Sequence, residues 1–319
     1  MSTEQNKKQI YSSVPNGFDA FWLNDFVKNT QKETTLYIVS NGIELFQTAE
    51  LLKYLNPNFE VLVFPAWDTV PYDRASPNIN ILSQRLETLS KLVLQSTVEH
   101  KRIVVTSIGA IIQKLPPKKI FLNSNKVLKI GSKFDFNGFL HYCAINGYTK
   151  VEQVMEPAEF ALRGDIIDIF PSGANEPVRI DLFDDEVENL RTFNPLNQRS
   201  TGTLKEYTFL TANEVILNEN TIKNFRLSYR ENFGTNGLKD EIYEWISEGK
   251  KYIGMENWLP FFYDEPLPSL FDYIPNANII LGNNYDDALK AKNESIIDYY
   301  TARLEALNIA SKTDDIVYP

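Results

Sequence analysis

Along the first third of the chain, apolar residues alternate between two rhythms. Phe18, Phe21, Trp22 and Phe26 recur at three- and four-residue steps, which predicts a helix over Asp19–Thr30. The short apolar run Thr35–Ser40, ended by the turn pair Asn41-Gly42, predicts a strand. Leu45, Ala49, Leu52 and Leu55 share one face of a helix over Glu44–Leu55 that stops at Asn56-Pro57. Glu60–Phe64 and Arg102–Ser107 read as strands. Between them Leu82, Leu86, Leu89 and Val93 predict a helix over Ile79–Leu94, and Ile108–Lys114 reads as a short helix. Strands and helices taking turns at this spacing imply a parallel sheet covered by helices, because parallel neighbours need long crossovers.

The rhythm changes near Pro116-Pro117. From Lys126 to about Leu210 the segments shorten and alternate with period two: Gly164–Phe170, Val178–Phe183 and Glu188–Phe193, with one helix over Phe136–Gly147. This is the pattern of an α+β domain on an antiparallel sheet. After Asn213 helices return, over Glu219–Phe233, Gly237–Glu248 and Tyr285–Leu307, the last with Ile296, Tyr300 and Leu304 on a stripe. Asn278–Leu281 is a lone candidate for a buried strand, and its backbone groups need a partner. The expected architecture is therefore α/β, one sheet domain split into residues 1–123 and 212–319 by an insert over 124–211, with Asn278–Leu281 completing the first sheet.

Composition narrows the chemistry. The 319 residues are 43% hydrophobic and 23% charged, as in soluble globular proteins. A formal net charge of −10 disfavours bulk attraction to DNA phosphates. One cysteine, Cys143, and two histidines, His100 and His141, leave little material for thiolate clusters or histidine-based metal sites. The opening MSTEQNKKQIYSS has no apolar core of a signal peptide, and no apolar run is long enough to cross a bilayer. A cytoplasmic, reducing compartment and no membrane contact are the expectation.

Three stretches are specific: Phe64-Pro-Ala-Trp-Asp-Thr-Val-Pro-Tyr-Asp73 with Gln84-Arg85-Leu86-Glu87; Tyr148–Phe170 running on into Val178-Arg-Ile-Asp-Leu-Phe-Asp-Asp185; and Gly254-Met-Glu-Asn-Trp258. Together they resemble the N-terminal module of the bacterial transcription-repair coupling factors, itself similar to the excision-repair protein UvrB. The resemblance runs from about Asn16 to Leu307. It implies a RecA-like, P-loop-NTPase-type sheet split by an inserted domain that binds UvrA. In the family, RNA polymerase and double-stranded DNA are engaged by other domains, which carry the ATP-dependent translocase, and a C-terminal domain masks the UvrA-binding face.

The nucleotide site that such a sheet would carry is expected to be degenerate. A phosphate loop needs close-packed glycines, a lysine and a Ser/Thr for Mg²⁺. The segment Ser12–Trp22, ahead of the first helix, offers only Gly17, and no G-x-x-x-x-G-K-[ST] occurs in the chain. The acidic motif that follows a strand in helicase-type sites is replaced after Leu281 by Gly282-Asn283-Asn284-Tyr285. No cofactor, catalytic residue or metal ligand is therefore expected. The alternative, a UvrB-like helicase binding ATP and DNA directly, requires the pocket that these segments lack. Trp67 and Tyr72 sit in a segment too short for a DNA-threading hairpin and read as packing residues.

The insert holds nine Lys/Arg and thirteen Asp/Glu between Lys126 and Thr211, which suits a protein partner better than DNA. Strand parity places Val178, Ile180 and Leu182 on one face and Arg179, Asp181 and Phe183 on the other. Arg163 starts the neighbouring strand and is expected beside Arg179. Left to the residues alone, these groups could form an interface or a solvated ion network. In the resembling family the matching positions contact UvrA: Arg163, Arg179 and Phe183. The carboxylates Glu156, Glu159, Asp165 and Asp168 have no spacing that fixes an acid–base pair. His141 and Cys143 lie two apart on a helix and diverge, and Cys143 is expected to be buried.

Overall fold

Strands covered by helices on both faces must be apolar throughout, and Thr34–Val39 (β1) and Arg102–Ser107 (β3) are buried along nearly their whole length. In the computed structural model, which describes residues 9–11, 14–15, 17–70, 72–94 and 100–312, they form the centre of a four-stranded parallel sheet. Its order is β12-β1-β3-β2, with Glu60–Phe64 (β2) and Asn278–Leu281 (β12) at the edges. The late strand completes the first sheet as expected, Thr35 to Ile38 pairing with Asn278 to Leu281. It is not buried: Ile279 is 55% and Leu281 42% exposed, because β12 is an edge strand.

Each face of this sheet is closed by a different part of the chain. Asp19–Asn29 (α1) and Gly42–Leu55 (α2) pack Leu23, Val27, Leu45 and Leu52 on Tyr37, Val39, Ile103 and Val105. The other face, through Leu36, Ile38, Leu62, Phe64 and Val104, meets Leu86 and Leu89 of Ile79–Leu94 (α3) and the returning segment. That segment comprises Glu219–Phe233 (α7), Glu241–Ser247 (α8), Leu259–Phe262 (α9) and Leu270–Tyr273 (α10), with Phe225, Tyr229, Phe262 and Tyr273 in the same core. Two short helices, Ile108–Ile111 (α4) and Lys119–Asn123 (α5), lead into the insert.

The insert builds its own core. Lys126–Lys129 (β4) pairs antiparallel with Glu206–Phe209 (β11). Thr149–Lys150 (β5), Glu159–Arg163 (β6), Ile166–Ile169 (β7), Val178–Phe183 (β8), Glu186–Phe193 (β9) and Ser200–Leu204 (β10) form a six-stranded sheet. Its neighbours are antiparallel except β5 and β6. Phe136–Ile145 (α6), capped by Asp135 accepting from the Gly138 N–H at 2.9 Å, lays Phe139 and Cys143 on Phe160, Ile167, Val178 and Ile180. The insert touches α3 at Gly173, whose N–H donates to Ser83 Oγ at 2.8 Å. A Cβ there would stand 2.7 Å from Glu87 Cβ, and its φ is +75°, so only glycine allows this approach.

Where the chain leaves the insert, Glu214 enters the core and meets Arg85. Both side chains are fully buried. Arg85 Nε and Nη2 donate to the Glu214 carboxylate at 2.5 and 3.3 Å, and Nη1 donates to Pro65 O and Gln113 Oε1, each at 2.8 Å. The guanidinium stacks 4.3 Å from the Phe64 ring centroid, and the Trp67 indole N–H reaches Glu214 Oε1 at 3.3 Å. Trp67 is thus a packing residue. Nearby, Glu256 accepts from Ser76 Oγ at 2.8 Å and Asn213 Nδ2 at 2.9 Å, and Asn257 donates to Asp73 O at 3.2 Å. Gly254 sits at φ +80°, where a Cβ would crowd the Arg74 backbone at 3.1 Å. The first and third motif stretches are therefore one structural junction, holding residues 65–77 against the returning chain.

Among the described residues, the last helix, Tyr285–Lys312 (α11), packs on the core through Tyr285, Ala288 and Leu289. Its expected stripe is not a core face: Ile296 is half-buried, Tyr300 and Leu304 are exposed, and Tyr300 meets Tyr72 at 5.4 Å.

Removing one partner from a fully buried ion pair leaves the other charge without compensation. Arg85→Met or Glu214→Leu alone is expected to lower unfolding free energy by about 3–5 kcal/mol in urea titration, and the double variant to recover most of the loss.

Candidate functional site

Period two gives β7, β8 and β9 an outer face opposite the α6 side. Register aligns Asp168, Arg179 and Arg191 on one rung, and Ile166, Asp181 and Asn189 on the next. Arg179 forms a two-pronged pair with Asp168, Nε to Oδ1 at 2.6 Å and Nη2 to Oδ2 at 2.8 Å. Arg191 pairs with Asp181 at 2.6 Å. Arg179 also donates to Gln198 O and Oε1 at 3.3 Å and lies 4.5 Å from the Phe193 ring centroid. Its side chain is only 16% exposed, and that of Asp168 1%. The hydrogen bonds to Asp168 raise the Arg179 pKa further above its already high range, so the guanidinium stays charged.

One expectation changes here. Arg163 ends β6, and β7 separates it from β8, so it does not lie beside Arg179. Its rung partner is Ile166, and its Nη2 donates to Glu152 O at 3.0 Å. Arg179 and Asp181 do not pair with each other or with Arg163 and Asp165; each takes a neighbour-strand partner instead. Phe183 is 69% exposed, as parity implied, beside the Asp184-Asp185 turn. The hairpins at 163–166 and 183–186 lie at the same end of the sheet, tied by Leu182 N–H donating to Asp165 O at 2.9 Å. Arg163, Ile166 and Phe183 therefore gather at one exposed corner. Arg179 lies about 13 Å along β8 from Phe183 at ~3.3 Å per residue.

Two of the four carboxylates singled out above have structural partners. Glu159 accepts from the Met155 and Glu156 N–H groups, and Asp168 holds Arg179. Burial pushes the Cys143 thiol up to about 12, far from a nucleophile's range. Among the described residues no cluster of His, Cys, Asp and Glu is placed to hold a metal ion.

The second candidate region is where a phosphate loop would stand. Such a loop joins a strand to the following helix. Gly17 directly precedes α1, and among the described residues no strand leads into it; Ser12, Ser13 and Asn16 lie outside the described residues. The strand-to-helix position after β1 is Ser40-Asn41-Gly42, which the sequence offered only as a turn. There Asn41 Oδ1 accepts from the Ile43 and Glu44 N–H groups at 2.9 and 3.0 Å, and Glu44 accepts from Ser40 N–H and Oγ at 3.1 and 2.6 Å. Gly17, Asn283 and Asn284 do converge on the same crevice, of about 460 Å³, but among the described residues its charged lining is Asp19 and Glu44, with no lysine or arginine.

Fold and face together define a class: a split parallel α/β domain whose inserted sheet presents an aromatic ring and a guanidinium at one exposed corner. Residues 127–215 match the family described as the UvrB interaction domain. The chain is 37% identical over 287 residues to the transcription-repair-coupling factor of Rickettsia bellii (90% of this chain, 25% of the relative). It is 32% identical over 280 residues to that of Haemophilus influenzae (88% and 24%), and 34% over 220 residues to that of Escherichia coli (69% and 19%). The chain carries a UvrB interaction domain and is a relative of the transcription-repair-coupling factors. It spans about a quarter of the length of these relatives. Among the described residues no helix is long and apolar enough to cross a membrane.

Asp168→Asn should cost about 3 kcal/mol of stability by stranding the Arg179 guanidinium, while Phe183→Ala should stay within about 0.5 kcal/mol of the parent; paired urea melts check both.

Proposed function

We propose that this chain is a non-catalytic adaptor module of a transcription-repair coupling factor, recruiting the excision-repair protein UvrA through its inserted sheet. The observation that carries this reading is the coincidence of the family-matched segment 127–215 with the sheet whose tips expose Arg163 and Phe183. An exposed phenylalanine at a rigid hairpin is a ready anchor, and burying it contributes about 1.5–3 kcal/mol. Arg179 supplies a fixed positive charge already oriented by Asp168, so little side-chain entropy is lost on contact. The surrounding acidity, −10 over the chain, supports a protein partner rather than DNA.

On this reading the sheet domain is a RecA-like scaffold over 1–123 and 212–319, with the partner-binding domain over 124–211, and it needs no cofactor. The acidic crevice at Ser40–Glu44 and the capped α2 amides support the loss of nucleotide chemistry, since a triphosphate would meet carboxylates where it needs a lysine. Contacts to RNA polymerase and duplex DNA, ATP-driven translocation and the masking of the UvrA face belong to other parts of the longer relatives. The setting is the cytoplasm.

The test is a titration of purified UvrA against the parent and variants of matched melting temperature. Phe183→Ala should weaken binding by about tenfold or more and Arg163→Ala by a smaller factor. Arg179→Ala should weaken it too, but it also leaves Asp168 buried alone, so the two exposed variants decide. Parent-like binding by the Arg163→Ala/Phe183→Ala double variant would place the interface elsewhere. A separate assay at millimolar ATP should show no Mg²⁺-dependent turnover; saturable turnover would contradict the adaptor reading.

A further inference from the structure

The parallel sheet has a topological switch point between β1 and β12: from β1 the chain runs to β2 and β3 on one side, and β12 is added on the other. Open α/β sheets bind ligands in the crevice outside the carboxyl ends of their strands at such a point. Here the crevice of about 460 Å³ lies beyond Val39 and Leu281, lined by Ser40, Glu44, Asn283 and Asn284. Its chemistry is inverted relative to a phosphate site. The N-terminal amides of α2 are already bonded to Asn41 Oδ1. Two carboxylates face the space, and among the described residues no cationic side chain lines it. Tyr37 OH donates to Asp19 Oδ2 at 2.6 Å, and Ser40 donates to Glu44 Oε2, so Asp19 Oδ1 and Glu44 Oε1 take part in none of these bonds. Burial raises the Tyr37 pKa, which keeps it a proton donor to Asp19.

A second observation points into the same space. Thr48, on the inward side of α2, is 94% buried and lines the crevice, yet its hydroxyl makes no hydrogen bond among the described residues. Its oxygen is not among the fully buried unpartnered atoms, so it opens onto the crevice and is free to bond a ligand there. Beside it Ala20, Ile43 and Leu51 form an apolar wall.

We propose that this crevice binds a primary alkylammonium group, its methylene stem along Ala20, Ile43 and Leu51 and its charge between Asp19, Glu44 and Thr48. Two carboxylates and one hydroxyl supply acceptors for the three N–H donors of an ammonium. The same chemistry is carried by a free linear diamine and by a lysine side chain. The inference rests on the reading of this crevice as free of nucleotide chemistry, and not on the UvrA assignment.

Calorimetric titration of the chain with 1,4-diaminobutane, with Nα-acetyl-lysine-N-methylamide and with Mg²⁺–ADP tests it. Saturable binding of an amine in the millimolar range is expected, weakened about tenfold by Glu44→Gln and severalfold by Thr48→Val, with ADP silent. Thr48→Val leaves both carboxylates in place, so it separates loss of the site from loss of the fold. Tighter binding of the diamine identifies a free diamine as the ligand source; binding of the acetyl-lysine amide at least as tight identifies a lysine side chain. Saturation by neither amine below about 50 mM, or parent-like affinity in Glu44→Gln, would overturn the inference. If ADP saturates instead, the nucleotide-free reading falls with it; if all three ligands are silent, the alkylammonium inference alone falls.

Discussion

The fold depends on one buried ion pair. A domain interrupted by a long insert must find its second half again, and apolar surface alone does not specify where. Arg85 on α3 and Glu214 at the exit of the insert meet with no exposed surface, and every prong of the guanidinium is used: carboxylate, Pro65 carbonyl, Gln113 and the rings of Phe64 and Trp67. An unmatched charge at that depth is prohibitive, so the returning chain is admitted in one register. Ser76, Asn213 and Glu256 repeat the device a few residues away. From this junction α7 to α10 spread over the sheet, and β12 reaches its edge.

The insert applies the same economy to a surface. Its α6 face is an apolar core, and its outer face carries two matched rungs of charge, Asp168 with Arg179 and Asp181 with Arg191. Those rungs stiffen the two hairpins whose tips carry Arg163 and Phe183. A rigid corner with one exposed ring needs little ordering when it meets a partner. Much of what makes Arg179 distinctive is thus internal: it is a support of the face as well as a part of it.

Period alone made β1, β2, β3, β8 and α3 legible, because their burial follows the simple rules of sheet and helix. The split domain was legible from the lone Asn278–Leu281 run and its need for a partner. Three things were hidden. Which strands neighbour each other cannot be read from parity, so Arg163 was set beside Arg179 although β7 lies between them. The strand-to-helix position of a phosphate loop is a topological fact, and in sequence Asn41-Gly42 is like any other turn; only the structure has β1 leading into α2 there. Amphipathic spacing on α11 does not say what covers it; among the described residues Tyr285, Ala288 and Leu289 reach the core. Arg85 and Glu214, 129 positions apart, gave no local sign that they touch.

On the proposed function, UvrA docks on the hairpin corner of the inserted sheet. Hydrogen–deuterium exchange of this chain with and without UvrA tests it most directly. The account predicts added protection confined to the strands and turns of residues 159–169 and 178–193, greatest around the 163–166 and 183–186 turns. Protection centred instead on α11 or the α1–α2 crevice, with the inserted sheet unchanged, would contradict it.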